Sequence, residues 1–201
     1  MILTDITLTK KGRCALFVDG EFLFSAHPDV FYGSGWQKGR EVTVEELEQL
    51  RMASEERTAK DKALDLLSYS ARTGRQLYDK LSRKCDPEAS AAAVARMEEL
   101  GLVDDADYAR RFVADKLNLK EWGLRRIEQE LRQKGVEQHH IDAALEELDY
   151  SGADRLAEIL RRRGKPLPTE QKERTALINR WLRQGYDYEE IKAAMAQLSE
   201  D

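Results

Sequence analysis

The chain has 201 residues, of which 35% are charged and 41% hydrophobic, and its formal net charge is −5. This length allows one or two domains, and the high charged fraction indicates much surface relative to core, as in arrays of helices. The acidic balance counts against a simple basic nucleic-acid-binding domain, and no apolar run is long enough to cross a membrane. Because no signal peptide is visible either, we predict a soluble cytoplasmic protein.

The first 26 residues have the pattern of a small β unit. Apolar residues alternate with threonines from Met1 to Thr9, and two short apolar runs flank the dipeptide Asp19-Gly20. An Asp-Gly pair between apolar runs is a strong signal for a two-residue hairpin turn, because both residues tolerate a positive φ. We therefore predict about three strands up to residue 26 or so, followed by a loop from His27 to Arg40.

Helices are predicted from Thr43 onward. Thr43 and Glu46 have the spacing of a capping box, which opens a helix. A further helix is expected to begin near Glu55 and to run to Tyr69, and from residue 59 to the end the sequence favours helices.

The helical part contains an internal repeat. With a constant offset of 50, apolar residues coincide without a gap, so that Leu131 matches Trp181 and Gly135 matches Gly185. Both glycines follow the last apolar residue of a helix, where a left-handed C-cap is favoured. The next helix starts within a few residues, which predicts a tight corner of the helix-turn-helix kind.

A third copy precedes these two, with Leu77 and Leu81 at the same offset and Cys85 where the glycine is expected. We therefore predict a mainly α fold, in which three tandem three-helix repeats form an elongated, curved array beside the β unit. The expected boundaries are 1–58 for the β-rich unit with a linker helix, and 59–103, 104–150 and 151–201 for the three repeats.

No pattern of catalytic or metal-binding residues stands out. The cysteines Cys14 and Cys85 are far apart and are interpreted as reduced core or half-buried thiols. Asp104, Asp105 and Asp107 open a helix, where capping and the helix dipole explain carboxylates better than a metal does. Neither a nucleophile elbow nor a phosphate-binding glycine loop is present. We therefore expect a protein without enzymatic activity, metal or cofactor.

Basic residues in the second and third repeats could form a stripe on one face. On the helix from Leu124 to Lys134, helical spacing places Arg125 and Arg132 opposite the apolar side. This ridge could contact phosphates or an acidic protein groove, or it could be a solvated face. The cluster Arg161–Lys165 could contact DNA or answer the dipole of a helix C-terminus. The candidate partner-binding residues are Arg110, Arg111, Lys116, Arg125, Arg126, Arg132, Lys134, Arg161, Arg162, Arg163 and Lys165.

Four aromatic residues lie on or beside the apolar stripes of these helices: Tyr108, Phe112, Trp122 and Trp181. Aromatic residues on such a stripe are typical of a packed core. We therefore interpret them as core or inter-repeat contacts and not as platforms for stacking bases.

Three segments resemble the sequence motifs of the RecX family. Residues 102–113 resemble its signature, in which Asp-Asp precedes an aromatic-Ala-x-x-Phe helix, and residues 123–136 resemble its Gly-x-x-x-Ile-x-x-Glu-Leu-x-x-Lys-Gly motif. Residues 72–81 resemble its Arg-Ser-x-x-Glu-Leu-x-x-x-Leu helix, although Thr73, Gln76 and Cys85 stand where serine, glutamate and glycine are usual. The β unit looks like the N-terminal extension of Gram-positive members.

The resemblance implies a non-enzymatic regulator of RecA, which would lie along the groove of the RecA–DNA filament. Such proteins usually inhibit strand exchange and co-protease activity, in DNA repair and the SOS response. We expect a monomer, with weak direct contacts to DNA as a secondary expectation. Two alternatives stay open: a DNA-binding helix-turn-helix transcription regulator, indicated by the tight corners at Gly135 and Gly185, and a helical scaffold for another partner.

Overall fold

The computed structural model describes residues 1–199, and this part of the chain is mainly helical with one small sheet, as predicted. Residues 200 and 201, the end of the predicted third repeat, lie outside the described residues. The chain divides into two compact units, Met1–Val103 and Asp104–Asp201, called the N-terminal and C-terminal units.

The N-terminal unit begins with an antiparallel sheet of three strands in the order β1-β2-β3. The strands are β1 (Leu3–Leu8), β2 (Cys14–Val18) and β3 (Glu21–Ala26). Asp19 and Gly20 connect β2 to β3 with φ angles of 50° and 90°, so the predicted hairpin turn is confirmed. The inner face of the sheet packs against the helices that follow it.

The predicted loop from His27 to Arg40 is partly wrong, because its first residues form the short helix α1 (Pro28–Gly33). The His27 side chain caps the helix by accepting from the backbone N–H of Asp29 at 3.3 Å. Pro28 at the first position has a φ suited to a helix start. Six residues are too few for helical periodicity to be visible in the sequence.

Helix α2 (Val44–Tyr69) starts at the predicted capping box, in which Thr43 and Glu46 satisfy each other's backbone N–H groups. The predicted start of a separate helix near Glu55 is wrong, since α2 continues through this position. Ser54 belongs to a residue type that favours helix starts, but here it is buried within the helix. Its hydroxyl accepts from the backbone N–H of His27 at 2.7 Å, which explains a buried serine at this point.

Helices α3 (Gly74–Leu81) and α4 (Pro87–Glu99) complete the N-terminal unit by packing against the second half of α2. Their shared core contains small residues of α2 and larger apolar residues of the shorter helices: Ala59, Ala63, Leu77, Leu81, Ala93 and Met97. Cys85 is half-buried against this core, and Cys14, the first residue of β2, is buried in the core under the sheet, so both free cysteines lie where the sequence predicts.

The C-terminal unit consists of two three-helix bundles. The first contains α5 (Asp105–Lys120), α6 (Leu124–Gln133) and α7 (Gln138–Glu146), and the second contains α8 (Gly152–Arg163), α9 (Gln171–Gln184) and α10 (Tyr188–Gln197). Helices α7 and α10 begin 50 residues apart, as the offset requires. Gly135 and Gly185 have φ angles of 82° and 98°, which confirms the predicted left-handed corners.

None of the helices within residues 1–199 combines the length and the apolar character that crossing a lipid bilayer requires.

Candidate partner-binding surface

All the candidate cations lie in the C-terminal unit, on α5, α6, α8 and the segments next to them.

The aspartates that open α5 have a structural role. Asp104 caps the helix by accepting from the backbone N–H of Asp107 at 2.9 Å, and Asp107 pairs with Arg111 at 2.6 Å. In the described part of the chain, no group of three or more His, Cys, Asp or Glu residues could hold a metal ion.

Helix α6 has the predicted apolar side and exposed basic side. Ile127 and Leu131 are fully buried. The side chains of Arg125 and Arg132 remain 70% and 56% exposed. Arg125 forms an ion pair of 3.3 Å with Asp187, while Arg132 pairs with Glu128 on its own helix. The ridge therefore presents guanidinium groups to solvent, but neighbouring carboxylates balance its charge.

Three other candidate cations lie against aromatic rings of the first bundle. The Lys116 ammonium is 4.8 Å from the ring centre of Phe112 and 5.5 Å from that of Trp122. The Arg126 guanidinium lies 3.9 Å from the Trp122 ring centre, and the Lys134 ammonium lies 5.4 Å from that of Phe112. Such contacts favour a cation by about 0.5–2 kcal/mol. These residues form one cluster, in which each cation lies against an aromatic ring.

The aromatic residues themselves are packed, as the sequence predicts. Tyr108, Phe112 and Trp122 lie half-buried against the core of the first bundle. Trp181 is 1% exposed in the core of the second bundle. A side chain this deeply packed offers no free face for a nucleic-acid base.

Arg126 lies where the backbones of the two bundles cross. Gly123 donates its N–H to the carbonyl oxygen of Gln184 at 2.9 Å. A Cβ atom on Gly123 would lie 2.4 Å from the carbonyl carbon of Gly185, and one on Gly185 would lie 2.4 Å from the Cβ of Arg126. Arg126 also donates to the Gln184 side chain at 3.1 Å. Two glycines are therefore required for the bundles to meet at this point.

The basic cluster Arg161–Lys165 ends α8 and enters a loop, as predicted, with Gly164 as a left-handed cap at φ 61°. Glu121, the last residue before Trp122, accepts from both Arg162 and Arg163. Arg163 also lies 4.8 Å from the ring centre of Trp181. Part of the cluster therefore joins the end of α5 to the last turn of α8.

Burial would by itself raise the pKa of Glu121, but the hydrogen bonds from Arg163 and Arg162 outweigh it and lower this pKa below its ordinary value of 4.5. A carboxyl with a lowered pKa in the folded state stabilises the fold fully above its ordinary pKa. That contribution is lost as the pH falls through the folded-state value.

We predict that Glu121→Gln lowers the free energy of unfolding at pH 7 by about 1 kcal/mol, because both ion pairs are lost. The deficit should shrink as the pH falls from 4.5 through the lower folded-state pKa of Glu121, because the native carboxyl is protonated only below that value. Urea unfolding of both proteins between about pH 7 and pH 3 measures this difference. A deficit that is the same at every pH would show that the charge of Glu121 is not responsible.

The candidate cations thus fall into two groups, apart from Arg161, which is exposed in the last turn of α8. The packed cations Lys116, Arg126, Lys134 and Arg163 lie over aromatic rings. The exposed cations project into solvent, and each has either one carboxylate partner or no ion-pair partner among the described residues. In chain order, the exposed cations of this group are Arg110, Arg111, Arg125, Arg132, Arg162 and Lys165.

Sequence reasoning missed two residues that hold the bundles together. Glu121 adopts a left-handed backbone with φ 55° after α5, and its role depends on arginines about 40 residues away. Arg155 donates to the carbonyl oxygen of Leu117 and so connects α8 to α5. A signal for Glu121 did exist, since a charged residue before the Trp122-Gly123 pair interrupts the apolar pattern of α5.

Comparison with known proteins finds family matches for one segment of the N-terminal unit and for the first bundle of the C-terminal unit. Residues 104–145 match the second three-helix domain of RecX, and residues 59–97 match the first. A protein of Caldanaerobacter subterraneus named regulatory protein RecX is 35% identical over 150 residues, which cover 74% of this chain and 76% of that protein. A regulatory protein RecX of Lactobacillus johnsonii is 33% identical over 74% of this chain, which spans 55% of its length.

A solved structure described as regulatory protein RecX has the same fold. It superposes on the whole chain with a TM-score of 0.67 at 23% sequence identity, and the match covers 99% of that structure. Apart from Leu102 and Val103, the segments that resemble RecX motifs lie within the two matched domains, and so does the glycine corner at Gly135. The chain therefore belongs to the RecX family.

Proposed function

We propose that this protein is a non-enzymatic regulator of a RecA recombinase in the cytoplasm, and that it binds the RecA–DNA filament and inhibits strand exchange and co-protease activity. Its relatives are named regulatory proteins, and the match to their second three-helix domain covers residues 104–145. The observation that carries the proposal is that this matched domain is a folded bundle whose surface presents exposed arginines. The resemblance supplies the identity of the partner.

The exposed cations can exchange their present partners for those of a filament. Arg111 and Arg132 each pair with a carboxylate one turn away on the same helix. Pairs of this kind contribute only about 0.3–0.5 kcal/mol, so a phosphate or a carboxylate of the partner can replace them at little cost. Arg125 is likewise exposed despite its pairing with Asp187. Binding would then come from several such contacts and not from one pocket.

The packed cations give this surface its rigidity. Arg126 is held between the Trp122 ring and the Gln184 side chain, and Arg163 between Glu121 and Trp181. Side chains fixed in this way lose little entropy when a partner arrives, and they hold the exposed arginines of the same helices in place. We therefore assign the packed cations to positioning and the exposed cations to contact.

The test is a DNA strand-exchange reaction with purified RecA, to which increasing amounts of the protein are added. We expect inhibition in proportion to occupancy of the filament, together with slower cleavage of a RecA-dependent co-protease substrate. Light scattering or electron microscopy would show whether filaments shorten. A protein that binds the filament but changes none of these readouts would contradict the regulatory role, and one that does not bind would contradict the choice of partner.

A second candidate function, direct sequence-specific DNA binding, is favoured by the tight corners before α7 and α10. In helix-turn-helix proteins the helix after the corner reads the major groove. Helix α7 carries no lysine or arginine, and α10 carries only Lys192. This composition disfavours direct DNA reading. The second candidate function predicts nanomolar binding to duplex DNA with a steep salt dependence. A titration of the protein with duplex DNA, without RecA and across salt concentrations, distinguishes the two candidate functions.

A further inference from the structure

A polar concavity of about 480 Å³ lies in the N-terminal unit, where the turn between β1 and β2, the middle of α2 and the turn between α3 and α4 meet. Four cationic side chains contribute to its wall: Arg13 from the first turn, Lys62 from α2, and Arg83 and Lys84 from the second turn. The motifs that identify the family do not explain this grouping. Through Arg13, the turn of the N-terminal sheet contributes directly to the wall.

The two acidic residues in the wall already have partners elsewhere. Glu55 accepts from the Arg51 guanidinium at 2.8 Å. The Asp86 carboxylate caps α4 by accepting from the backbone N–H groups of Glu88 and Ala89 at 2.8 and 3.1 Å. The helix dipole and these donors stabilise its charge. Neither carboxylate therefore forms an ion pair with any of the four cations.

The cations, in contrast, contact only neutral groups. Arg13 donates to the Ser25 carbonyl oxygen at 2.8 Å and to the Thr58 hydroxyl at 2.8 Å. The Lys62 ammonium lies 3.4 Å from the carbonyl oxygen of Lys84. None of the four cations has a carboxylate within ion-pair distance in the part of the chain that is described.

Arg13 also has a fixed position, unlike a lysine on an open surface. Its guanidinium is held by the Ser54 hydroxyl at 3.1 Å as well, and that hydroxyl lies inside α2. Hydrogen bonds of this kind orient the planar donor group before a ligand arrives, which reduces the entropy lost on binding. Arg83 and Lys84 are exposed at the mouth and can close on a ligand.

We propose that this concavity binds a phosphate group. Uncompensated cations that converge on a polar hollow from three segments attract a compact anion with a high charge, and arginine donors match phosphate oxygens. Carboxylates carry less charge in the same volume, and an apolar ligand would leave the cations without partners. The phosphate can come from a nucleic-acid backbone or from a free nucleotide or pyrophosphate. The site does not depend on the proposed regulation of RecA.

The native cysteines provide a test that needs no substitution. The Sγ atom of Cys85 lies in the wall, 3.3 Å from the Lys62 ammonium, and is half-buried, whereas Cys14 is 1% exposed. The rate of Cys85 alkylation by iodoacetamide therefore reports on access to the concavity, and Cys14 serves as the unreactive reference. We expect a bound phosphate ligand to slow alkylation of Cys85 several-fold.

Three probes are compared in the absence of RecA: sodium pyrophosphate, a single-stranded oligothymidylate and a polyglutamate peptide. Protection by pyrophosphate alone indicates a free phosphate ligand, and stronger protection by the oligonucleotide indicates a nucleic-acid backbone. Either result supports the proposal. Protection by polyglutamate equal to or greater than that by both phosphate probes would overturn it in favour of an acidic protein segment. Absence of protection by all three would also overturn it.

A double variant, Arg83→Ala with Lys84→Ala, tests the same site through binding affinity. Both side chains are exposed and lack ion-pair partners among the described residues, so the fold should be retained. We expect the dissociation constant of the best phosphate probe to rise about tenfold, as is typical for the loss of a charge-assisted hydrogen bond. The matched control is Arg75→Ala with Lys80→Ala, which removes the same charge from exposed positions on α3. Equal weakening by both variants would contradict the proposal.

Because no step of this experiment contains RecA, its failure would leave the proposed regulation untouched. A positive result with the oligonucleotide would add a second contact to that regulation, made by the N-terminal unit. The slope of log K against log salt concentration for oligonucleotide binding should then become shallower by about one in the Arg83→Ala, Lys84→Ala variant, which corresponds to the loss of one phosphate contact.

Discussion

Replacing Gly185 by alanine is expected to lower the free energy of unfolding of the C-terminal unit by about 2–5 kcal/mol. Two costs add up at this position. The backbone has a φ of 98°, a region in which a residue with a Cβ atom costs about 1–2 kcal/mol. The new Cβ would also lie 2.4 Å from the Cβ and 2.5 Å from the backbone nitrogen of Arg126. Backbone cannot give way as the end of a side chain can, so overpacking costs about 1–3 kcal/mol more.

A matched control separates these two costs. Gly164 also ends a helix with a positive φ, of 61°, but a Cβ atom there would meet no other atom within 4 Å. Gly164→Ala should therefore show the backbone cost alone, about 1–2 kcal/mol. Urea unfolding followed by circular dichroism gives both values. If the two variants lose the same stability, the crossing of Gly123 and Gly185 does not hold the bundles together.

The same substitution should also affect regulation, because the crossing positions α6. Arg126 stands between the Trp122 ring and the corner at Gly185, so displacement of this corner would move the helix that carries Arg125 and Arg132. In Gly185→Ala, inhibition of RecA should weaken even under conditions in which the protein remains folded. Gly164→Ala should keep its inhibition at the same temperature.

Local sequence signals were sufficient for much of the fold. Asp19-Gly20 predicted a hairpin turn because only a few residue types accept two positive φ angles in succession. Thr43 and Glu46 predicted the start of α2 because a capping box is completed within four residues. The offset of 50 predicted corresponding helices in the two bundles, since the buried positions of a repeat recur with its period.

Predictions failed where a distant partner decides the local structure. Ser54 could end one helix or begin another on local grounds, but hydrogen bonds from His27 and Arg13 keep it inside α2. His27 and Pro28 form a helix start that extends for only six residues, below the length at which periodicity can be recognised.

The candidate surface shows the same division between local and distant information. Helical spacing placed Arg125 and Arg132 on the exposed side of α6, where they lie. It could not show that Arg125 meets Asp187, since 62 positions separate them, or that Arg126 turns toward the second bundle. Spacing gives the side of a helix on which a residue lies, whereas its partner depends on how the helices pack.

This division determines how the contact surface should be tested. A charge reversal that includes Arg126 would disturb the crossing of the bundles, and loss of activity could then reflect loss of structure. Arg110, Arg125 and Arg132 are the better choice, because each is exposed and none packs on an aromatic ring in the described residues. Charge reversal at positions 125 and 132 places a carboxylate beside Asp187 and another beside Glu128. Each of these repulsions costs only about a few tenths of a kcal/mol.

We predict that the triple variant Arg110→Glu, Arg125→Glu, Arg132→Glu raises the concentration needed for half-maximal inhibition of RecA strand exchange about 10- to 100-fold. Three exposed charge contacts at about 0.5–1 kcal/mol each account for that range. The control is Lys120→Glu, Lys172→Glu, Lys192→Glu, which changes the net charge equally at other exposed positions. Thermal unfolding monitors folding in both. Equal losses in the two variants would mean that total charge, and not this surface, governs binding, whereas full inhibition by the first would place the RecA contact elsewhere on the protein.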